Sequence, residues 1–215
     1  MSPCIIAIAG PSGSGKSLFA QTLLQTVRER RPQIEPVLLR EDAYYRDQGH
    51  LDPAQRAAVN YDHPQAIEQE LLLAQLQALR AGNAVQVPRY DYTVHTRAAA
   101  TDTVTPAPVI IVEGILLLAN PELRAAFDMR FFMDTPLDIC LLRRIERDQR
   151  ERGRSLDSIV EQYQSSVRPM YQQFIAPSAE YADMRITGGG RNRVALEVVE
   201  GAVLRVLDAA AGSGS

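Results

Sequence analysis

Short apolar runs alternate along most of this chain with longer stretches of helical period. "CIIAIA" (4–9), "PVLLR" (36–40), "PVIIVEG" (108–114), "MRFFMD" (129–134) and "ADMRIT" (182–187) read as strands. The runs at 4–9 and 108–112 carry no polar position, the signature of strands covered on both faces rather than one. From Lys16 the pattern becomes helical, with Phe19, Leu23 and Val27 four apart and Pro32 as a stop. A second helix is predicted from Pro64 to Arg80, closed by Gly82. Thr135, Pro136 and Asp138 predict a capping box opening a third helix, and a last one runs from about Arg193 to Leu207. Strand and helix in alternation predict the α/β class: a five-stranded parallel sheet with helices on both faces.

Residues 84–107 interrupt the alternation. They lack helical period and are rich in Val, Thr and Tyr, which predicts a β-hairpin or ribbon inserted at the edge of the sheet. Insertions on a rigid α/β frame are common places for a substrate pocket. The closing "AAGSGS" (210–215) reads as a flexible tail, leaving one domain over 1–209.

Composition narrows the picture. A chain of 215 residues, 46% hydrophobic, can bury a core of its own. The formal net charge of −3 argues against a nucleic-acid partner. No apolar run approaches the roughly twenty residues a membrane-spanning helix needs, and no signal-peptide pattern is present. Cys4 and Cys140, far apart in apolar runs, read as small buried hydrophobes of a reduced, cytoplasmic protein.

"GPSGSGKS" (10–17) sits between a buried strand and an amphipathic helix, the context a phosphate-binding P-loop requires. Gly10, Gly13 and Gly15 free the backbone to turn its N–H groups inward, with Ser14 between them, and the helix that follows adds its positive end. Lys16 is placed for the β- and γ-phosphates and Ser17 for Mg²⁺. The fold this implies is that of the P-loop NTPases. GTPase signatures such as Asn-Lys-x-Asp are missing. Glu113, ending the third strand after four apolar residues, has the hard oxygen chemistry of a metal ligand.

On the acceptor side, Asp42 in "REDAYYRD" follows the second strand, at the ligand edge of such a sheet. It is either a general base touching the Mg²⁺ shell or a turn residue. Asp62 in "NYDHP" either binds vicinal sugar hydroxyls or caps the helix at Pro64. Tyr90, Tyr92 and His95 can sandwich a flat base or merely pack the hairpin. "RRIERDQRERGR" (143–154) holds six arginines in twelve positions. Helical spacing places Arg143, Arg147 and Arg150 on one face, away from Leu137, Leu141 and Ile145. Gly153 breaks the helix, putting Arg152 and Arg154 on a hinged lid over 147–157. Guanidiniums there would neutralise a transferring phosphoryl group, while Glu146, Asp148 and Glu151 leave a plain salt-bridged helix as the alternative. "GGGRNR" (188–193) lacks a nucleotide-loop register and reads as a flexible turn.

Together "EDAYYRD", "NYDHP", "RYDYTVHTR", "IIVEGILLL", "DTPLDICLLRRIERD", "ERGRS", "VRPMYQQFI", "PS" and "YAD" resemble the uridine–cytidine kinases, in the same order, from about residue 4 to 187. The resemblance implies transfer of the γ-phosphate of ATP or GTP to the 5′-hydroxyl of uridine or cytidine. It implies Asp42 as catalytic base beside Lys16 and Arg147, and Ser17, Asp42 and Glu113 around Mg²⁺. Ribose and base contacts fall on Tyr45, Asp62, Tyr90, Tyr92, His95, Arg147, Arg152 and Gln162. The triphosphate-side arginines become Arg144, Arg147, Arg152 and Arg154, so the resemblance prefers Arg144 where helical spacing selects Arg143. His95 is the family's type for accepting both nucleosides. A homotetramer and feedback inhibition by CTP or UTP are implied as well. Two other readings stand beside it: a P-loop ATPase acting as a switch without a small acceptor, and a phosphoribulokinase-like sugar-phosphate kinase.

Overall fold

The structure, a computed structural model, describes residues 3–212. β1 (Cys4–Ala9), β2 (Val37–Arg40), the hairpin strands β3 (Val85–Asp91) and β4 (Thr96–Val104), β5 (Val109–Gly114), β6 (Met129–Met133) and β7 (Met184–Ile186) follow in chain order. Five of them form the expected parallel sheet in the order β2-β5-β1-β6-β7. Side-chain alternation divides β1 between two cores. Ile5, Ala7 and Ala9 face Leu72, Leu76 and Leu79 of the helix Gln69–Arg80. Cys4, Ile6 and Ile8 face Phe19, Leu23 and Val27 of the helix Lys16–Arg30, together with Val199, Val203 and Leu207 of the helix Arg193–Gly212. Both cysteines are buried free thiols, and burial pushes each up to about 11.

Three expectations are corrected. The helix predicted from Pro64 is broken: a short 3₁₀ turn, Pro64–Ala66, gives way to extended backbone at Ile67 before Gln69–Arg80 begins. Ile67 is buried there because it pairs with Tyr45, while Glu68 N–H donates to Tyr44 O and Arg46 N–H to Ala66 O (both 2.8 Å). Tertiary pairing overrides helical period, and the resulting strap holds Tyr45 in place. The expected hairpin is present and does not pair with the main sheet. It is a separate two-stranded antiparallel ribbon packed on the turn Glu41–Tyr44. The capping box is absent, since Pro136 precedes the helix Leu137–Arg152 and Thr135 Oγ1 donates instead to Ser14 O (2.9 Å). The terminal helix continues to Gly212, so 210–212 are helical and 213–215 of the expected tail lie outside the described residues.

Gly153 adopts the left-handed conformation (φ 62°) that ends the arginine helix, as its spacing predicts. Ser155 then caps the next helix, Leu156–Gln162, accepting from Ser158 N–H at 3.2 Å. Wider π turns at Tyr163–Val167 and Tyr171–Ile175 follow, with Pro169 and Pro177 placed early in the short α turns after them.

Candidate active site

The phosphate loop leaves the end of β1 and closes on the first turn of Lys16–Arg30. Gly13 (φ 84°) and Gly15 (φ 94°) are required twice over, by backbone conformation and by space. A Cβ on Gly13 would lie 2.4 Å from Cys140 O, and one on Gly15 2.6 Å from Gly190 N. The loop is therefore clamped between the arginine helix and the turn Gly189–Arg191. That turn was expected to be flexible but is packed into the fold. Gly10 (φ 146°) sits beneath, against Met133. Ser14 is fully buried and braces the loop from inside, its N–H donating to Pro11 O at 3.1 Å. No acidic side chain occupies the helix's first turn, so its positive end is left uncompensated for an anion.

Lys16 and Ser17 open onto a cavity of about 140 Å³, shared with Asp42 and Glu113. Register brings the carboxylates there: Arg40 at the end of β2 pairs with Glu113 of β5, and Asp42 follows two residues later. Ser17 Oγ donates to Glu113 Oε1 at 3.0 Å. Burial raises the Glu113 carboxyl above its usual range and nearby Asp42 raises it further, while Lys16 and Ser17 oppose this. A divalent cation beside the two carboxylates would relieve that repulsion. One hydroxyl and two carboxylates, all hard oxygen donors, fit Mg²⁺, which completes its shell with phosphate oxygens and water. Among the described residues there is no cluster of three or more His, Cys, Asp or Glu that would make an all-protein metal cage.

Next to Asp42 stands a residue that sequence reasoning passed over. Glu41 is wholly buried; its Oε2 accepts Leu116 N–H at 2.8 Å and its Oε1 has no partner. Burial pushes its carboxyl up to about 8. It ties the turn carrying Asp42 to the loop after Glu113, and a Cβ on Gly114 would lie 2.2 Å from Oε2.

The arginines converge on a second such residue. Asp148 is fully buried, with Arg147 at 2.7 Å, Arg152 at 3.4 Å, and Arg144 and Arg154 at 3.7 Å. Arg144 reaches Ser12 Oγ (3.2 Å) and Gln162 Oε1 (2.7 Å), and Arg154 shares Gln162. Burial draws the Arg144 guanidinium below its ordinary range, while Asp62 and Asp148 oppose the shift. The face predicted by helical spacing is thus corrected. Arg143 points to the carbonyls of Gly13 and Ser14 (3.3 and 3.5 Å), and Arg150 is exposed and pairs with Glu146 (3.6 Å). Arg144, Arg147, Arg152 and Arg154 line the cavity.

Aromatic rings close the cavity's far side. Tyr45 meets Tyr61 and Tyr90 at 5.2 and 5.0 Å, Tyr90 meets Tyr92 edge-on at 5.1 Å, and His95 stacks on Tyr61 at 5.8 Å. Tyr61, not singled out from the sequence, joins the walls by donating to His95 O (3.3 Å) and Arg56 O (3.0 Å). His95 holds a left-handed turn conformation (φ 54°), and burial with Arg154 and Arg152 nearby lowers its pKa, keeping the ring neutral at neutral pH. Asp62 is buried against the cavity and does not cap the following turn; His63 Nδ1 does, accepting from Gln65 N–H at 3.1 Å. Burial raises Asp62 above its usual range, while Arg144 lowers it.

Comparison with known proteins agrees with this geometry. The family model described as phosphoribulokinase / uridine kinase matches residues 5–195. A uridine kinase of Vibrio atlanticus (strain LGP32) is 51% identical over 203 residues, covering 94% of this chain and 95% of its own. One from Shewanella baltica (strain OS155) is 52% identical, covering 94% and 96%. Among solved structures, phosphoribulokinase from Rhodobacter spheroides (TM-score 0.65, 15% identity, 86% of this chain and 70% of its own) shares the fold. So does the D-glycerate 3-kinase of Cryptococcus neoformans (TM-score 0.63, 15% identity, 86% of each). With a family model spanning most of the chain and relatives half identical along nearly all of it, the chain belongs to the phosphoribulokinase / uridine kinase family.

Proposed function

We propose that this protein transfers the γ-phosphate of ATP or GTP to the 5′-hydroxyl of uridine or cytidine, giving UMP or CMP in pyrimidine salvage. The observation that carries the reading is one cavity joining a phosphate loop, two carboxylates, four arginines and a wall of neutral aromatic rings. The rings suit a flat uncharged base better than the sugar phosphate of a phosphoribulokinase-like enzyme. A switch ATPase would have no use for them.

In this reading the main chain of Gly10, Gly13, Ser14 and Gly15 cradles the donor phosphates and Lys16 reaches the β- and γ-phosphates. The donor base lies toward the open groove beside Leu18 and Gly190. Ser17, Asp42 and Glu113 would hold Mg²⁺, which would supply positive charge to the donor phosphates. Asp62 takes the ribose hydroxyls; Tyr45, Tyr90, Tyr92, His95 and Gln162 orient the base with Arg147 and Arg152. Asp42 accepts the 5′-hydroxyl proton as that oxygen bonds to the γ-phosphorus and the bond to the β–γ bridging oxygen breaks, leaving the nucleoside monophosphate and the nucleoside diphosphate. Arg144, Arg147, Arg152 and Arg154 neutralise the transferring group, their planar forks needing no proton exchange.

The layout is one kinase domain that includes the terminal helix through Gly212, with the ribbon 84–107 at the acceptor end and the lid 147–157 above it. Cytoplasmic location, homotetramer assembly and inhibition by CTP or UTP belong to the same proposal. Among the described residues no helix is long and apolar enough to cross a membrane. The test is phosphate transfer from ATP with Mg²⁺, with product identification, against uridine, cytidine, adenosine, thymidine, ribulose 5-phosphate and no acceptor. UMP and CMP are expected, with little ATP loss in the blank. ATP consumption indifferent to every acceptor would overturn the reading.

A further inference from the structure

Tyr92 stands apart from the other rings of the pocket. It is the first residue of the hairpin turn and 45% exposed, yet its phenol donates a hydrogen bond to Asp42 Oδ2 at 3.3 Å. Two neighbours hold the ring in that pose. Tyr90 meets it edge-on at 5.1 Å, and the Arg152 guanidinium of the lid lies over its face at 5.5 Å. Among the described residues no other hydrogen-bond donor reaches the Asp42 carboxylate. The phenol therefore places an O–H on the oxygen that, in the proposed reaction, receives the O–H of the acceptor.

We propose that Tyr92 is an acceptor-site gate: with no nucleoside bound, its hydroxyl occupies Asp42 in place of the acceptor hydroxyl and keeps water from being activated there. The inference rests on the reading of Asp42 as the group that takes the acceptor proton. The suppressed reaction is ATP hydrolysis. Water's oxygen would bond to the γ-phosphorus, the bond to the β–γ bridging oxygen would break, and the released proton would pass to Asp42, giving ADP and phosphate. A nucleoside in the aromatic pocket presents its own hydroxyl and displaces the phenol, so exchange of one O–H for another couples acceptor binding to release of the base. Because Arg152 rests on the same ring, the displacement also frees a lid arginine for the phosphates. A lid that excludes water cannot by itself tell an empty acceptor site from a full one. A side chain that competes for the base can.

The test is Tyr92→Phe, which keeps the ring and its contacts with Tyr90 and Arg152 and removes only the hydroxyl. The rate of acceptor-free ATP hydrolysis itself should rise about tenfold over the parent, from the loss of one hydrogen bond to a carboxylate worth about 1.5 kcal/mol. General damage to the pocket lowers turnover and does not raise hydrolysis, so the gain is specific. Adding Asp42→Asn to the variant should abolish the excess, since the freed base carries it. An acceptor-free hydrolysis rate within twofold of the parent overturns the gate. Asp42→Asn alone separates this failure from failure of the underlying reading: near-normal uridine phosphorylation in that variant would remove Asp42 from the mechanism, whatever Tyr92 does.

Discussion

The two ends of the cavity are built differently. The phosphate end is made of main chain: glycines whose missing side chains admit Cys140 O and Gly190 N, an uncompensated helix terminus, and a hydroxyl and a carboxylate set by strand register. The acceptor end is made of side chains carried on a separate ribbon, a strap and a helix terminus, and none of those elements pairs with the central sheet. What substitutes for backbone there is charge. Asp148, fully buried, gathers four arginines that would otherwise repel one another. The phosphate site is fixed by the fold, whereas the acceptor site is fixed by one carboxylate that the fold buries. Breaking either end should therefore leave different remains.

The largest effect is expected at Asp148. Asp148→Asn keeps the shape and deletes the charge, leaving Arg144, itself buried, without its nearest helix partner. Removing one member of a buried pair costs about 3–5 kcal/mol, because the remaining charge stays desolvated. A loss of unfolding free energy of that size in urea, and loss of uridine-dependent turnover by about a hundredfold or more, should accompany ATP affinity that falls far less. Were ATP affinity to fall in step with turnover, the separation of the two ends would be wrong. A loss of stability below about 1 kcal/mol would show that Asp148 does not organise the arginines.

This difference also explains what could be read in advance. β1 and residues 109–112 of β5 are buried on both faces, so these positions are apolar without interruption, and the glycine spacing of the phosphate loop is local to eight residues. Both survive as patterns in a string. Asp148 does not: four residues from Arg144 and four before Arg152, it is indistinguishable in sequence from the exposed pair Glu146–Arg150. Only packing beneath the lid separates them. Glu41 and Tyr61 were missed for the same reason, since each sits inside a quoted motif and becomes distinctive through burial or stacking. The capping box failed because Thr135 had a better partner across the fold in Ser14 O. The motif resemblance selects Arg144, which lines the cavity, where helical spacing selects Arg143, which turns to the carbonyls of Gly13 and Ser14, because an angular estimate along a helix says nothing of which neighbour lies opposite.

A smaller effect is expected where the two ends meet. Burial raises the Glu41 carboxyl from its ordinary 4.5 to about 8 in the folded protein. The folded state then binds this proton more tightly than the unfolded chain. The associated stability is complete below pH 4.5 and is lost as pH rises toward 8, by on the order of a few kcal/mol. Glu41→Gln cannot titrate and should flatten that part of the profile. Urea unfolding of the metal-free protein at intervals between about pH 5 and pH 8 measures it, with the parent losing stability relative to the variant as pH rises. Parallel profiles would mean that Glu41 ionises in the fold without cost, and that the tie between the turn of Asp42 and the loop after Glu113 does not depend on a neutral carboxyl.

The smallest effect, and the one that resolves the acceptor end most finely, belongs to His95. Its ring is neutral at neutral pH and stacks on Tyr61, so either ring nitrogen can donate while the other accepts. Uracil and cytosine exchange donor and acceptor at N3 and at the C4 substituent, and a neutral imidazole facing either position can serve both bases by changing tautomer. His95→Ala should shift the ratio of uridine to cytidine efficiency by about fivefold, the worth of one hydrogen bond near 1 kcal/mol, with ATP affinity little changed. Alanine is also strained at φ 54°, which would lower both nucleosides alike. His95→Asn supplies the control, because asparagine tolerates that backbone and keeps a donor and an acceptor on a shorter arm. A ratio that moves in the alanine variant and partly returns in the asparagine variant assigns the discrimination to the side chain's hydrogen bond. Equal losses for both nucleosides in both variants would make His95 a residue of the hairpin turn, and would leave the choice between uracil and cytosine to Gln162 and the arginines around it.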